Sequence, residues 1–365
     1  MNLQNFRVMP LGSAPEASLF KASNGLLYGM TSAGGNFTSG GIFFSFNPQT
    51  NVITKLNEFS NGFPSGSVIQ ATNGKLYGLT HGGGTSGQGS LFSYDISTST
   101  FTTVFSFTGS ATGRIPQGSL IQATNGKLYG MTGYGGIAGD NGTIFSYDIS
   151  TSTFTKHVDF DGTTNGKRPY GNLVQASNGK MYGMTFLGGA ADNGVLFSFN
   201  PVSNIYSKIL EFSPAANGMQ PLGSLIQAND GKLYGLTSQG GNNSGGVIFS
   251  LDTASNTFTK VYNFTSPVSN TQGCNPYGTL YNASNGKLYG MTFSGGVYGS
   301  GVIFSYDVST SSYSKIRDLN YPDGTNPLYN SFIEIDNIIT NTVALNLCAN
   351  SGVNIPYSIY GTFNA

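Results

Sequence analysis

The chain has 365 residues, 53 of them glycine, with two cysteines, no tryptophan, and equal numbers of Lys+Arg and Asp+Glu. Only 9% of residues are charged, against roughly 25% in an average soluble domain, while 13% are aromatic. The balanced charge argues against a nucleic-acid partner, the aromatic content against disorder, and the absence of any apolar run near ~18 residues against a membrane span; two cysteines make neither a disulfide framework nor a zinc site.

Met1 to Pro10 has no apolar stretch of the kind that drives export, so no signal peptide is expected there. Within it, Asn5 to Pro10 reads as a lone outer strand. A repeat then begins. The string NGKLYGMT, or a near copy, places tyrosines at Tyr28, Tyr77, Tyr129, Tyr182, Tyr234 and Tyr289. A period near 50 residues that carries four short strands is the pattern of a β-propeller blade.

One unit runs from Pro116 to Phe160. Strand a is Ser119 to Ala123, and Asn125-Gly126 is expected to close a two-residue type I′ hairpin, because that turn needs φ > 0 at both central positions. Strand b is Lys127 to Thr132, followed by a loop with Gly135-Gly136. Strand c is Thr143 to Asp148, and Asp148 is placed to bond the backbone two residues on. Strand d is Thr153 to Phe160. Strands a, b and c are apolar on both sides of the alternation, so each sheet must be covered on both faces, as a ring of radial sheets achieves.

Strand a recurs seven times, after Pro15, Pro64, Pro116, Pro169, Pro221, Pro276 and Pro327, while the b motif occurs six times. The expected fold is therefore all-β: a propeller over residues 1–336. A seventh blade would be closed by the N-terminal strand d and the C-terminal strands, with Asn354 to Gly361 as strand c. The alternative is six blades, with residues 337–365 opening a following module.

The unit resembles a kelch repeat in Gly135-Gly136, Tyr147-Asp148, the Ser150 to Thr153 turn and Phe154 on the outer strand. It departs in that the kelch Trp is replaced by Ile53, Phe101, Phe154, Tyr206, Phe258 and Tyr313. The G-x-L-Y-G-x-T strand, the following Gly-Gly and the apolar-Phe strand are similar to the GloVer-type tandem repeat of large secreted bacterial surface proteins, over about Ser18 to Asp318. That resemblance implies an exported, surface-associated protein with a separate anchoring domain and no established enzymatic activity. Leu347 to Ala365 resembles the opening strands of Ig-like modules in such proteins.

The charges divide into repeated and unrepeated. Lys75, Lys127, Lys180, Lys232 and Lys287 follow the hairpin glycine; Lys55, Lys156, Lys208, Lys260 and Lys315 share one place on strand d. Asp95, Asp148, Asp252 and Asp307 share the turn after c, and Glu58, Asp159, Glu211 and Asp318 share the end of d. A group present in nearly every unit reads as structural. Lys21, Gln70, Gln122, Gln175, Gln227, Asn282 and Glu334 hold one polar place on strand a, where satisfying inner-strand backbone is the expected role and lining a channel the alternative.

The two histidines, His81 in a b–c loop and His157 on an outer strand, are not expected to meet, so no nucleophilic triad is expected. Asp159-Phe160-Asp161 is an incomplete calcium loop. Asp140 and Asp192, each followed by Asn-Gly, read as turn residues rather than a glycosidase pair. No catalytic residue, metal or cofactor is expected. The d–a and b–c loops should share one ring face, and they vary most. His81, Arg114, Tyr134, Arg168, Tyr170, Phe186, Tyr277 and Phe293 are therefore the candidate ligand-binding residues, with a glycan or a cell-surface protein as partner. The protein is expected to be a monomeric module of a larger extracellular chain. A secreted carbohydrate-active enzyme with a central-channel site and a structural spacer are the alternatives. The pairing of Cys274 and Cys348 stays open.

Overall fold

The computed structural model describes residues 12, 14, 17–36, 40–265, 271–320, 324–327 and 332, with the backbone of 343–347 and 357–361. Six four-stranded antiparallel sheets follow one another along the described residues, at 20–58, 64–106, 114–159, 174–211, 226–265 and 281–318. In each, the strands lie in sequence order a, b, c, d. In the third they are Arg114–Gln122, Leu128–Tyr134, Thr143–Asp148 and Thr153–Asp159.

The motif residues explain the order. In strand b, a Cβ on Gly130 would lie 2.6 Å from the Phe145 ring and 3.0 Å from Leu120, so only glycine lets strands a and c pack over it. Phe145 is fully buried, a gain of about 2–3 kcal/mol for a side chain of that size. Thr132 lies near the end of the strand. Its hydroxyl donates to Tyr134 O at 2.9 Å and accepts from Thr143 N at 3.0 Å, fixing the start of strand c. Asp148 accepts from Ser150 N at 3.0 Å, the turn expected after strand c. The outer strand d begins with alternating exposed and half-buried residues, and a bulge interrupts its pairing with c, as suits an edge.

The a–b hairpin differs from expectation. Gly126 has φ +81°, but Asn125 does not have positive φ, and Gly126 N donates to Ala123 O while Ala123 N donates to Lys127 O. The loop is three residues, a type I turn followed by a left-handed glycine. Asn125 stabilises it by accepting from Lys127 N and donating to the Tyr129 hydroxyl, a bond strand b supplies in each unit with that Asn-Tyr pair.

Consecutive sheets pack face to face, and the buried clusters join sheets 1 and 2, 2 and 3, 3 and 4, 4 and 5, and 5 and 6. Along the innermost strands the same position hydrogen-bonds from sheet to sheet: Ser67 N to Ser119 Oγ, Ser119 N to Asn172 Oδ1, Asn172 N to Ser224 Oγ, and Ser224 N to Thr279 Oγ1. A second row of such links is made by the strand-a glutamines. Gln122 Oε1 accepts from Thr72 N, and Gln175 Oε1 accepts from Thr124 N. The polar place on strand a thus satisfies inner-strand backbone. Radial sheets linked at their inner edges are the blades of a β-propeller.

Beyond sheet 6, Asn326 N donates to Ser300 O and buried Phe332 packs on Tyr289, Met291 and Leu319. Val343–Leu347 pairs antiparallel with Tyr357–Gly361. The N-terminal strand expected at Asn5 to Pro10, the rest of the seventh unit, and Cys348 lie outside the described residues, as does the boundary near 336.

Candidate binding site

Many of the repeated charges are spent within the blades. Lys75 and Asp95 pair at 3.2 Å and Lys127 and Asp148 at 3.5 Å across the b and c strands. Lys55 pairs with Glu58, Lys156 with Asp159, and Lys315 with Asp318, each at 2.8 Å along strand d. Such half-exposed pairs contribute little each. The strand-d carboxylates also hold the b–c loops, since Asp159 accepts from Ile137 N and Asp318 from Val297 N.

The d–a and b–c loops do meet on one face. Lys167 bridges to Leu187, Met219 to Gln239 and Cys274 to Ser294. The meeting place is a corner that begins each unit. The residue before its proline takes left-handed backbone: Ala14, Phe63, Ile115, Arg168, Gln220, Asn275 and Asn326 have φ between 40° and 58°. The reason is a hydrogen-bond pair. Arg168 N donates to Asn141 O of the preceding blade, and Arg168 O accepts from Phe186 N of its own. The glycine two places earlier is required as well: a Cβ on Gly166 would lie 2.2 Å from Thr185 Oγ1. The side chain at the left-handed position also reaches back. Asn275 Nδ2 donates to Ser238 O at 3.0 Å and Asn326 Nδ2 to Phe293 O at 2.9 Å. Arg168 Nη1 donates to the equivalent carbonyl, Gly133 O, at 3.3 Å.

Between blades 3 and 4 five of the unrepeated charges converge. Arg114 grips Asp140 with two bonds, Nε to Oδ1 at 3.0 Å and Nη2 to Oδ2 at 2.7 Å. Lys167 pairs with Asp192 at 2.9 Å. Each aspartate also caps its loop, Asp140 accepting from Gly135 N at 2.6 Å and Asp192 from Gly188 N at 2.7 Å. The Arg168 guanidinium lies 3.7 Å from the centre of the Tyr134 ring, and Nη1 donates to Asp140 O at 2.6 Å. Arg114 approaches the same ring at 5.3 Å. The Tyr134 and Tyr170 hydroxyls are 3.5 Å apart, and Tyr170 stacks on Phe186 at 5.6 Å. All of these side chains are half-buried except Asp192, which is exposed. Five of the expected residues (Arg114, Tyr134, Arg168, Tyr170 and Phe186) thus form one contiguous patch.

The other three lie elsewhere on the same face. Tyr277 and Phe293 meet edge to face at 5.2 Å on blade 6, and His81 stacks on Phe63 at 5.5 Å on blade 2. His157 is held between Tyr129 and Phe199, with Ser146 Oγ 2.8 Å from its Nε2; burial lowers its pKa. The two histidines have separate surroundings. Asp161 accepts from the backbone N–H groups of Thr163, Thr164 and Asn165, a turn role. The participants outside the expected set are Lys167, Asp140 and Asp192. Their signal in the sequence was the near-equal spacing of Arg114 to Asp140 and Lys167 to Asp192, two units running.

Comparison with known proteins agrees with the fold. The model of the Gloeobacter/Verrucomicrobia repeat matches residues 2–175 and 141–354. A search of curated sequences finds no match. Among solved structures, a candidate 6-phosphogluconolactonase from Bacteroides fragilis NCTC 9343 is similar at 18% identity with TM-score 0.57, covering 89% of this chain and 87% of that one. Its counterpart from Bacteroides uniformis ATCC 8492 gives 17% identity and TM-score 0.54, covering 84% and 86%. At such identities the likeness is one of fold. No helix among the described residues is long and apolar enough to cross a membrane.

Proposed function

The chain belongs to the Gloeobacter/Verrucomicrobia repeat family, and from that premise we propose that it is a non-catalytic binding module of an exported protein, serving adhesion at a cell surface. Its ligand is a glycan, taken on the loop face between blades 3 and 4. The observation that carries this reading is the convergence of unrepeated charges and aromatic rings at one place, in a molecule whose other charges are mostly lattice elements. Half-exposed aromatic faces beside hydrogen-bonding groups suit a sugar, which presents apolar C–H faces and polar edges.

The carboxylates there do not suit acid catalysis. Arg114 and the Gly135 N–H hold Asp140 below the usual carboxylate range. Burial pushes Asp192 up, but Lys167 and the Gly188 N–H outweigh it and hold it low. A general acid needs a pKa near the working pH. The extracellular location rests on the charge-poor surface of Ser, Thr, Asn and Gly and on the secreted proteins that the repeat resembles.

The test is a glycan and polysaccharide array probed with the purified chain, with product analysis of every positive. Binding without turnover, lost in the Tyr170→Ala/Phe186→Ala double variant with its fold intact, is the expected result. Cleavage of a bound glycan would establish the enzyme reading instead. Silence on the array, with capture of a defined surface protein, would replace the glycan by a protein.

A further inference from the structure

We infer that the saccharide taken between blades 3 and 4 is an acidic one, its carboxylate received by the outer edge of the Arg168 guanidinium and its ring by Tyr170 and Phe186. This rests on the reading above and names its ligand class.

The charges at the patch do not cancel. Arg114 and Asp140 neutralise each other in a bidentate pair, and Lys167 and Asp192 form a second pair. Arg168 is left over. Its Nη1 donates to two backbone carbonyls, Gly133 O and Asp140 O. Among the described residues, Nε and Nη2 have no protein acceptor. A guanidinium edge with two parallel donors matches a carboxylate in a way that no other side chain does.

The ring does not require this charge. The left-handed corner position is filled by Ala14, Phe63, Ile115, Gln220, Asn275 and Asn326 in the other units. Where it is asparagine, the amide makes the seam hydrogen bond that Arg168 Nη1 makes here. An asparagine would therefore serve the seam at 168. What arginine adds is a positive edge, held in place by the Tyr134 ring beneath it and by a backbone tied to Asn141 O and Phe186 N. The Tyr170–Phe186 pair stands next to it. The guanidinium is pre-organised, so little side-chain freedom is lost when an anion arrives.

A sulfate-bearing sugar shares the anionic chemistry, and the experiment separates the two. The purified chain is titrated by calorimetry with polygalacturonate, with its carboxyl-reduced neutral counterpart and with a sulfated polysaccharide, and the titrations are repeated with Arg168→Asn. Expected is binding of polygalacturonate that weakens as salt rises, with the reduced polymer and Arg168→Asn each costing at least tenfold. The melting temperature of Arg168→Asn should fall by no more than a few degrees, because the seam bond to Gly133 O is kept while the bond to Asp140 O is lost. Binding of the sulfated polymer alone would overturn the carboxylate assignment. Equal binding of the neutral polymer, or an unaffected Arg168→Asn, would overturn the inference while leaving a glycan-binding module. Failure to bind any of the three, joined to a silent array, would overturn both.

Discussion

Blades 4 and 6 begin with the same corner and put different chemistry on it. In blade 4 the segment is Gly166-Lys167-Arg168-Pro169-Tyr170, in blade 6 Gly273-Cys274-Asn275-Pro276-Tyr277, and each tyrosine meets a phenylalanine, Phe186 or Phe293. The backbone is equivalent. Both corner residues are left-handed, both bond the preceding blade, and both receive the N–H of the phenylalanine. Yet blade 6 places buried Cys274 and an amide where blade 4 places a half-exposed lysine and a guanidinium. The corner geometry is common property of the ring, and the side chains on it are where one blade acquires a role the others lack.

The shared part should break alike in both blades. Gly166→Ala and Gly273→Ala each force a Cβ within 2.5 Å of neighbouring side-chain atoms at φ near 90°. Strain and overpacking together should cost about 2–4 kcal/mol in each, read by chemical denaturation; a large loss in one blade only would end the equivalence. The divergent part should break unequally. Tyr170→Ala/Phe186→Ala should weaken glycan binding about thirtyfold or more, as loss of a hot spot does, while Tyr277→Ala/Phe293→Ala should cost about threefold or less. Equal losses would move the site to the whole face.

A smaller difference should appear in acid. The folded pKa values of Asp140 and Asp192 are depressed, so their contribution is present above the unfolded value of about 4 and is lost as pH falls through the folded one. Both are part-exposed, so the effect is well under about 1 kcal/mol each. Amide exchange at the blade 3–4 loops should speed up below about pH 4 relative to the blade 5–6 loops, and Asp140→Asn should remove part of that acid response. A last effect, of similar size, concerns Ile115, a β-branched residue in left-handed backbone. Ile115→Asn relieves that strain and supplies the seam amide seen at Asn275 and Asn326, so thermal unfolding should show a gain of about 0.5–1 kcal/mol.

The repeat period, the strand order, the Asp148 turn and the role of the strand-a glutamines were legible from the chain, because each rests on local chemistry copied in most units. The hairpin type was not. Asn-Gly serves both a two-residue and a three-residue loop, and only the pairing of Ala123 with Lys127 tells them apart. The corner was hidden because a residue before proline ordinarily takes extended backbone, and nothing in Phe63 or Ile115 announces the left-handed region. The loop face itself was foreseen. The grip of Arg114 on Asp140 was not, because it joins residues 26 apart through two loops whose approach only the folded ring sets.

In the proposed division of labour, repeated residues build the ring and the unrepeated cluster between blades 3 and 4 binds. Hydrogen–deuterium exchange, measured with and without a saturating saccharide identified on the array, tests it most directly. Ligand protection should be confined to residues 114–141 and 167–193, with the blade 6 corner at 273–296 unchanged. Protection centred on blade 6, or spread evenly around the ring, would contradict it.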